Sequence, residues 1–258
     1  MPRLCANVTL LFTEHDFLDR FAAAADAGFE GVELLFPYAW PARELRARLA
    51  DAGLELVLFN LRPGDWEQGD RGLAALPDHR AAFRAALDEA LGLAEVLGCR
   101  RLHVMAGLTH QGADRATYVD NLAVAAEAAA PLGIDVLIEP INTFDMPGYF
   151  LTRTADAIEI IREVAAPNLG LQLDLYHRQR MEGRVPEAIQ MARPYTRHYQ
   201  IAAPRDRGEP EEGGELDLRA AFADIDAGGY AGWIGCEYRP RGDTRAGLEW
   251  FRRLGLSL

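Results

Sequence analysis

The sequence predicts an α/β protein with a single (β/α)8 barrel, in which eight parallel strands alternate with helices. Eight apolar runs of strand length alternate with eight amphipathic runs along the 258 residues. No Pro- or Ser-rich linker interrupts this repeat, so we expect one domain over residues 1–258. An open, doubly wound sheet is the alternative, but no G-x-G-x-x-G motif follows the first strand-like run.

The eight strand candidates are short apolar runs that end near Gly, Pro or a polar residue. They lie at residues 3–8, 31–35, 54–60, 101–107, 135–141, 169–177, 196–202 and 232–238. The helix candidates between them repeat apolar residues with helical periodicity. They lie at residues 16–27, 41–52, 79–98, 115–130, 152–165, 185–193, 217–227 and 243–254. Thr152 and Asp217 are suitable N-caps, and turns such as AGLE and LGID provide glycines for C-caps.

Four successive strand candidates in the second half of the chain end in a polar side chain. They are Glu139, Asp174, Gln200 and Glu237, each about one strand-plus-helix unit after the previous one. Burial of such a group without partners costs roughly 2–7 kcal/mol, which makes it a poor core residue. Because side chains alternate along a strand, all four take the register that faces the barrel axis. We therefore predict an active site at the C-terminal ends of the strands.

These four side chains offer only oxygen atoms as ligands. One strand-end carboxylate alone most often caps a helix or pairs with an arginine, whereas four at matching positions favour a shared cage. Carboxylate and amide oxygens suit Mg²⁺ or Mn²⁺ better than Zn²⁺, which prefers His and Cys. We predict one divalent cation, Mg²⁺ or Mn²⁺, held by Glu139, Asp174, Gln200 and Glu237.

Strand alternation also assigns other side chains to the two faces of the barrel wall. Leu137, Gln172, His198 and Trp233 share the inward register, whereas Cys236 faces the helix layer. The three cysteines are far apart and form no C-x-x-C pair. We therefore expect reduced thiols and a cytoplasmic protein.

Loop residues that follow the strand candidates are candidates for substrate binding at the same face. A loop arginine alone is most often solvated, and a lone loop histidine is as often a surface residue as a functional one. A guanidinium on this face, however, is suited to hold a carboxylate with two hydrogen bonds. Trp66 is more often a packing residue than a lid in such a loop. The candidates for substrate contact are His177, Arg207, Arg71, Asn60 and Asp145.

Charge and composition exclude several classes of function. The net charge is −12, which opposes binding of nucleic acid or an anionic membrane surface. All 27 basic residues are arginine, so lysine Schiff-base chemistry and a P-loop lysine are excluded. No apolar stretch reaches the ~18 residues of a membrane span, and Asp16 argues against a signal peptide. A small anionic substrate needs a local cation, which only arginine can supply.

Eight segments resemble the hydroxypyruvate isomerase family, which belongs to the xylose isomerase-like barrels. They are ANVTLLF, GVELLFPY, NLRPGDWEQGDRG, LIEPINTFDMPGY, QLDLYHRQRMEG, HYQIA, RDRGEP and GWIGCEYRP. The resemblance runs from end to end and implies a (β/α)8 barrel with one metal at the four strand-end residues. It also implies that Glu139 and Glu237 form the acid/base pair. Gln200 stands where the related ketose epimerases have a histidine ligand, which favours the isomerase branch.

The resemblance implies an isomerase that interconverts hydroxypyruvate and tartronate semialdehyde. An isomerase of a four-carbon 2-oxo acid, of the 2-oxo-tetronate type, and a ketose 3-epimerase are the enzymatic alternatives. A DNA-repair endonuclease of this barrel class needs many histidines and a basic groove, which the composition opposes. A sugar-acid binding module without activity is opposed by the intact pair of glutamates. The sequence leaves the oligomeric state open, and a homo-oligomer is compatible with it.

Overall fold

The fold is a closed barrel of eight parallel strands in the order β1 to β8, with β8 paired to β1. The structure, a computed structural model, describes residues 3–211 and 213–255. The strands are β1 (Arg3–Asn7), β2 (Gly31–Leu34), β3 (Glu55–Asn60), β4 (Arg101–His103), β5 (Asp135–Ile138), β6 (Leu169–Asp174), β7 (Thr196–Ile201) and β8 (Trp233–Cys236). The predicted (β/α)8 barrel is thereby confirmed.

Helices follow the strands and surround the barrel. Over the described residues they are α1 (Arg20–Asp26), α2 (Ala42–Ala52), α3 (Arg80–Leu97), α4 (Arg115–Ala129), α5 (Thr154–Val164), α6 (Leu175–Met181), α7 (Val185–Ala192), α8 (Leu218–Ala227), α9 (Thr244–Gly247) and α10 (Glu249–Arg253). None of these helices is both long and apolar enough to cross a membrane. The sequence patterns placed most of these elements to within a few residues.

Helix α6 is the main departure from the predicted elements. The run at 169–177 looked like one strand followed by a loop, but β6 ends at Asp174 and a helix begins at Leu175. The Asp174 carboxylate caps this helix by accepting a hydrogen bond from the backbone N–H of Tyr176 at 2.7 Å. The prediction that His177 lies in a loop is therefore wrong, because this cap starts the helix at once.

The buried apolar residues form two clusters, one inside the barrel and one between the strands and the helices. The inner cluster consists of Cys5, Val57, Leu58, Leu137 and Trp233. The larger cluster between strands and helices includes Cys236, as strand alternation predicted. Gly31 makes room for the indole inside, because a Cβ there would lie 2.9 Å from Trp233. This apolar cluster fills part of the barrel interior, and the four polar strand-end residues lie at the C-terminal ends of the strands.

Candidate active site

A cavity of about 630 Å³ opens at the C-terminal ends of the strands. Glu139 and Glu237 line it, each one residue beyond the end of its strand. Asp174 ends β6 and Gln200 lies near the end of β7, and both side chains are buried. The structure thus brings the four strand-end residues to one end of the barrel.

Glu139, Asp174 and His177 form a compact group of potential metal ligands. One ligand atom from each residue lies within 4.8 Å of the others. Over residues 3–211 and 213–255, Glu139 Oε1 and Asp174 Oδ2 are buried and have no hydrogen-bond partner. Leaving a charged oxygen in this state costs more than the roughly 1–3 kcal/mol of a neutral group. The donor set therefore fits a divalent cation, which would bind both oxygens.

Burial and mutual repulsion raise the pKa values of the carboxylates at this site. Burial is the first cause for Glu139, whose pKa is raised well above its usual range, and Glu237 and Asp174 add to it. Burial also raises the pKa of Asp174 to about 6 and that of Glu237 to about 8, although Arg207 opposes both shifts. Three buried carboxyl groups therefore resist full ionisation together unless a cation neutralises them.

Hydrogen bonds fix the tautomer of His177. Its Nδ1 accepts from the backbone N–H of Asn142 at 3.3 Å and lies 2.6 Å from Asn142 Nδ2. Asn142 Oδ1 already accepts two backbone N–H groups, which assigns Nδ2 as the second donor. Burial keeps the imidazole neutral by lowering its pKa well below the usual value. The remaining proton is on Nε2, 3.8 Å from Glu139 and 3.6 Å from Asp174, so His177 offers a donor there rather than a metal ligand.

Glu33 orients the Gln200 amide, and sequence reasoning missed it. Gln200 Nε2 donates to Glu33 Oε1 at 2.8 Å, whereas Gln200 Oε1 accepts from Gln172 Nε2 at 2.6 Å. Gln172 Nε2 also lies 3.0 Å from Glu139 Oε2. The Glu33 carboxylate thus holds the amide nitrogen of Gln200 away from the potential metal ligands, and the amide oxygen of Gln200 stays on the side of Glu139.

A ring of donors surrounds Glu33 itself. Asn7 Nδ2 at 3.0 Å, His198 Nε2 at 2.6 Å and the Cys5 thiol at 3.7 Å all contact its carboxylate. Burial acts to raise the pKa of Glu33, but the charge of His198 and the hydrogen bonds from His198, Gln200 and Asn7 outweigh it and lower the pKa below its ordinary value. Cys5, Glu33 and His198 lie close enough to bind a metal, yet they are already bonded to one another. The sequence signal was an acidic residue inside the apolar run GVELL.

Arg207 places a positive charge at the cavity, next to Glu237. Its Nη2 lies 3.1 Å from Glu237 Oε2, and its Nη1 lies 3.4 Å from Asp145 Oδ2. Asp145 also accepts the Tyr176 hydroxyl at 2.8 Å. Burial acts to lower the pKa of Arg207, but Glu237, Asp174 and other carboxylates outweigh it and raise the pKa. The guanidinium is therefore held by Glu237 and Asp145 and stays charged.

The other substrate-binding candidates line the same cavity with different surroundings. Arg71 stacks 3.8 Å over the Trp66 ring and donates to the Trp66 and Asp70 carbonyl groups, so it braces its own loop. Asn60 lies at the end of β3 and faces the cavity. His103 at the end of β4 also lines it and was missed, although it is a polar residue in an apolar strand. Burial lowers the pKa of His103 to about 3 and keeps it neutral.

Comparison with known proteins places the chain among isomerases of this fold. A sequence model described as xylose isomerase-like TIM barrel matches residues 21–254. A 2-oxo-tetronate isomerase from Cupriavidus necator is 54% identical over 256 residues, which are 98% of each chain. A hydroxypyruvate isomerase from Escherichia coli is 42% identical over 254 residues, covering 97% of this chain and 98% of its own.

Solved structures show the same architecture. A crystal structure described as an AP endonuclease of family 2, from Brucella melitensis, has a TM-score of 0.95 and 46% identity, covering 98% of this chain and 99% of its own. A D-psicose 3-epimerase from Clostridium cellulolyticum has a TM-score of 0.80 at 18% identity with full coverage of both chains, and supports the fold alone. The chain therefore belongs to the xylose isomerase-like TIM barrel family, in the group that includes hydroxypyruvate and 2-oxo-tetronate isomerases.

Proposed function

We propose that the protein is an isomerase that interconverts hydroxypyruvate and tartronate semialdehyde. The observation that carries this proposal is one buried constellation: two glutamates at a cation-binding group, with a fixed arginine beside them. Glu139 and Glu237 are both in contact with the cavity, and Arg207 Nη2 lies 3.1 Å from Glu237. A proton-transfer site for a small acid needs both features, because the glutamates move the proton and the arginine binds the carboxylate.

The reaction moves one proton between neighbouring carbons and one between their oxygens. One glutamate removes the proton from C3 of hydroxypyruvate and leaves an enediolate, and the same or the other glutamate then protonates C2. The hydroxyl proton passes from O3 to O2, and the Nε2–H group of His177 can donate a hydrogen bond to a substrate oxygen during this transfer, which suits the tautomer that Asn142 imposes. A divalent cation at this site supplies Lewis-acid stabilisation of the negative charge, worth several kcal/mol.

Mg²⁺ or Mn²⁺ is the cation we propose. With His177 acting as a donor, the ligands are the oxygens of Glu139, Asp174, Gln200 and Glu237. Hard oxygen ligands favour these two ions over Zn²⁺. The orientation of Gln200 by Glu33 supports this set, since it turns an oxygen and not a nitrogen toward Glu139.

A four-carbon substrate is the second candidate. The relative with 54% identity is named 2-oxo-tetronate isomerase, and the same proton transfer between C3 and C2 converts a 2-oxo-tetronate into a 3-oxo-tetronate. A cavity of about 630 Å³ has room for either acid.

The name of the Brucella structure suggests a DNA endonuclease instead. The net charge of −12 opposes this function, since DNA binding depends on neutralising phosphates with Lys and Arg. We propose that nucleic acid and membranes are not partners of this protein, and that its partner is a small hydroxylated 2-oxo acid.

Proton NMR in D₂O tests the proposal directly. The metal-loaded protein is incubated with hydroxypyruvate, with a four-carbon 2-oxo acid and, separately, with free ketoses such as psicose. We expect isomerisation, with deuterium at the exchanging carbon, for the 2-oxo acids and little turnover of the ketoses. Turnover of ketoses alone would mean that the protein is an epimerase, and cleavage of DNA containing abasic sites would support the endonuclease.

A further inference from the structure

Two buried polar side chains that line the cavity have atoms without partners. Within the described part of the chain, both ring nitrogens of His103 and the Oδ1 atom of Asn60 make no hydrogen bond. Both residues are buried, and they are direct neighbours in the register of β3 and β4. The polar group near the imidazole is Glu139 Oε2, which lies 3.6 Å from Nδ1.

Unpaired groups of this kind are costly in a folded protein. A buried polar atom without a partner costs roughly 1–3 kcal/mol, and most native ones are satisfied. Other described side chains also have an unpaired buried atom, among them Gln172 and His198. His103 and Asn60 differ from these two because both line the cavity, where a ligand can reach them, and because they are neighbours on β3 and β4.

Their chemistry matches a hydroxyl group better than a charged one. A neutral imidazole offers one donor and one acceptor, and the Asn60 Oδ1 atom adds an acceptor. A hydroxyl can donate to the amide oxygen while it accepts from the imidazole. A carboxylate could only accept, and it would leave the Asn60 oxygen facing a negative charge.

The barrel places His103 and Asn60 across the cavity from the Arg207 guanidinium. In a closed eight-stranded barrel, β3 lies across from β7 and β4 lies across from β8. Arg207 follows β7 and contacts Glu237 beside β8, so a substrate carboxylate at Arg207 points the other end of the molecule toward β3 and β4. The two reacting carbons then lie between these ends, near Glu139. In hydroxypyruvate nothing extends past the reacting carbons, whereas a four-carbon acid has a C4 hydroxyl there.

We propose that His103 and Asn60 form the subsite for the C4 hydroxyl of a four-carbon 2-oxo acid, and that they make this acid the better substrate. This inference rests on the proposed isomerase function and deepens it, since of the two candidate substrates it favours the second, the four-carbon acid, over hydroxypyruvate. Neither residue needs to take part in proton transfer. They are residues that determine specificity.

A cycle of substrate and protein changes tests the subsite. kcat/KM is measured for 2-oxo-tetronate and for its 4-deoxy analogue, 3-hydroxy-2-oxobutanoate, with the unmodified protein and with His103→Leu and Asn60→Leu. We expect the unmodified protein to prefer the hydroxylated acid by about 10- to 100-fold, and each variant to lose most of this preference. For hydroxypyruvate, which also lacks the C4 hydroxyl, each variant should change kcat/KM by about the same factor as for the deoxy acid.

Controls separate the subsite from general damage. Met105→Leu changes another side chain that lines the cavity and should affect both four-carbon acids by the same factor. Should a leucine variant fail to fold, the unmodified protein still decides, because equal kcat/KM for the hydroxylated and deoxy acids overturns the proposal. Variants that keep the full preference would also overturn it. If the unmodified protein turns over none of these acids, it is the proposed function that fails.

Discussion

The two glutamates of the cavity share one environment but differ in their neighbours. Arg207 lies within 3.1 Å of Glu237, whereas Glu139 contacts Gln172 and lies near two histidines. Burial raises both pKa values, and a carboxyl group with a raised pKa is a better proton acceptor once it is ionised. This arrangement is suited to a pair that exchanges protons with a substrate between them.

Replacing either glutamate by glutamine should lower kcat sharply. We expect Glu139→Gln and Glu237→Gln each to reduce kcat by at least about 10², since the amide cannot take up a proton. Metal content, measured by elemental analysis, should fall less, because an amide oxygen still coordinates. The exposed Glu95 on α3 provides the control, and Glu95→Gln should leave kcat unchanged. A glutamine variant with bound metal and normal kcat would show that the replaced glutamate is structural.

Glu33 should affect the metal through Gln200. In Glu33→Gln the new side chain can offer an NH₂ group to the amide of Gln200 and compete with its orientation. Losing a residue that orients a ligand typically costs 10–100-fold in metal affinity, and we expect a loss of this size by calorimetric titration with Mn²⁺. A lower melting temperature with unchanged metal affinity would contradict this role, since it would mean that Glu33 supports only the core.

Local patterns found some site residues and missed others for a physical reason. Glu139, Asp174, Gln200 and Glu237 were visible because they close four successive strand candidates at one repeat spacing. Glu33 and His103 lie on β2 and β4, outside the repeat of four strand ends that indicated the site. The partner of Glu33, His198, is 165 residues away in sequence, and only closure of the barrel brings the two together.

At the scale of elements, the site depends on how the segments after the strands begin. Helix α6 starts directly after Asp174, so its first turn carries His177 into the cavity wall. The segment after β7 reverses at Arg207, which has a left-handed backbone with φ of 56°. Sequence patterns predicted the barrel and the strands well. The α6 start was missed because the apolar run continues across Asp174 into the helix.

The segment that carries Arg207 should decide whether charged substrates bind. Arg207→Ala removes a charged partner of the substrate carboxylate, so kcat/KM for 2-oxo acids should fall by an equivalent of about 1.5–3 kcal/mol. Arg71→Ala should cost less, since Arg71 is bonded to its own loop. Any residual turnover of uncharged ketoses should barely change in either variant. Equal losses for charged and neutral substrates would show that the arginine only shapes the segment.

Because the chain contains no lysine, cysteine and tyrosine are the side chains that titrate at alkaline pH, below the range of arginine. All three cysteines are buried, and burial raises the pKa of Cys99 to about 12 and those of Cys5 and Cys236 well above the usual value of 9.0. Between pH 9 and pH 10, below the ordinary pKa of tyrosine, the unfolded chain therefore releases thiol protons that the folded chain keeps. The free energy of unfolding should fall as the pH rises through this window.

Denaturant unfolding at several pH values measures this effect. Each thiol contributes at most about 1.4 kcal/mol per pH unit, and the contribution grows as the pH passes the unfolded value. Cys99→Ala should give a shallower fall, because one of the three groups no longer titrates. Ellman's reagent should react slowly with the folded protein and fully after unfolding, because all three thiols are buried. A pH slope that is the same with and without Cys99 would contradict this explanation.

Because of the net charge and the buried carboxylates, we expect a bound metal ion to stabilise the folded protein as well as to support its activity. With a net charge of −12 and three carboxyl groups at one site, a bound divalent cation relieves repulsion that the folded state otherwise carries. A ligand that binds only the folded state stabilises it by about 2.7 kcal/mol at 100 times its Kd. EDTA treatment should therefore lower the melting temperature and abolish turnover, and Mg²⁺ or Mn²⁺ should restore both. In Asp174→Ala, which lacks one proposed ligand, the same ions should raise the melting temperature much less. Full turnover in protein that elemental analysis shows to be free of metal would overturn the metal-dependent mechanism.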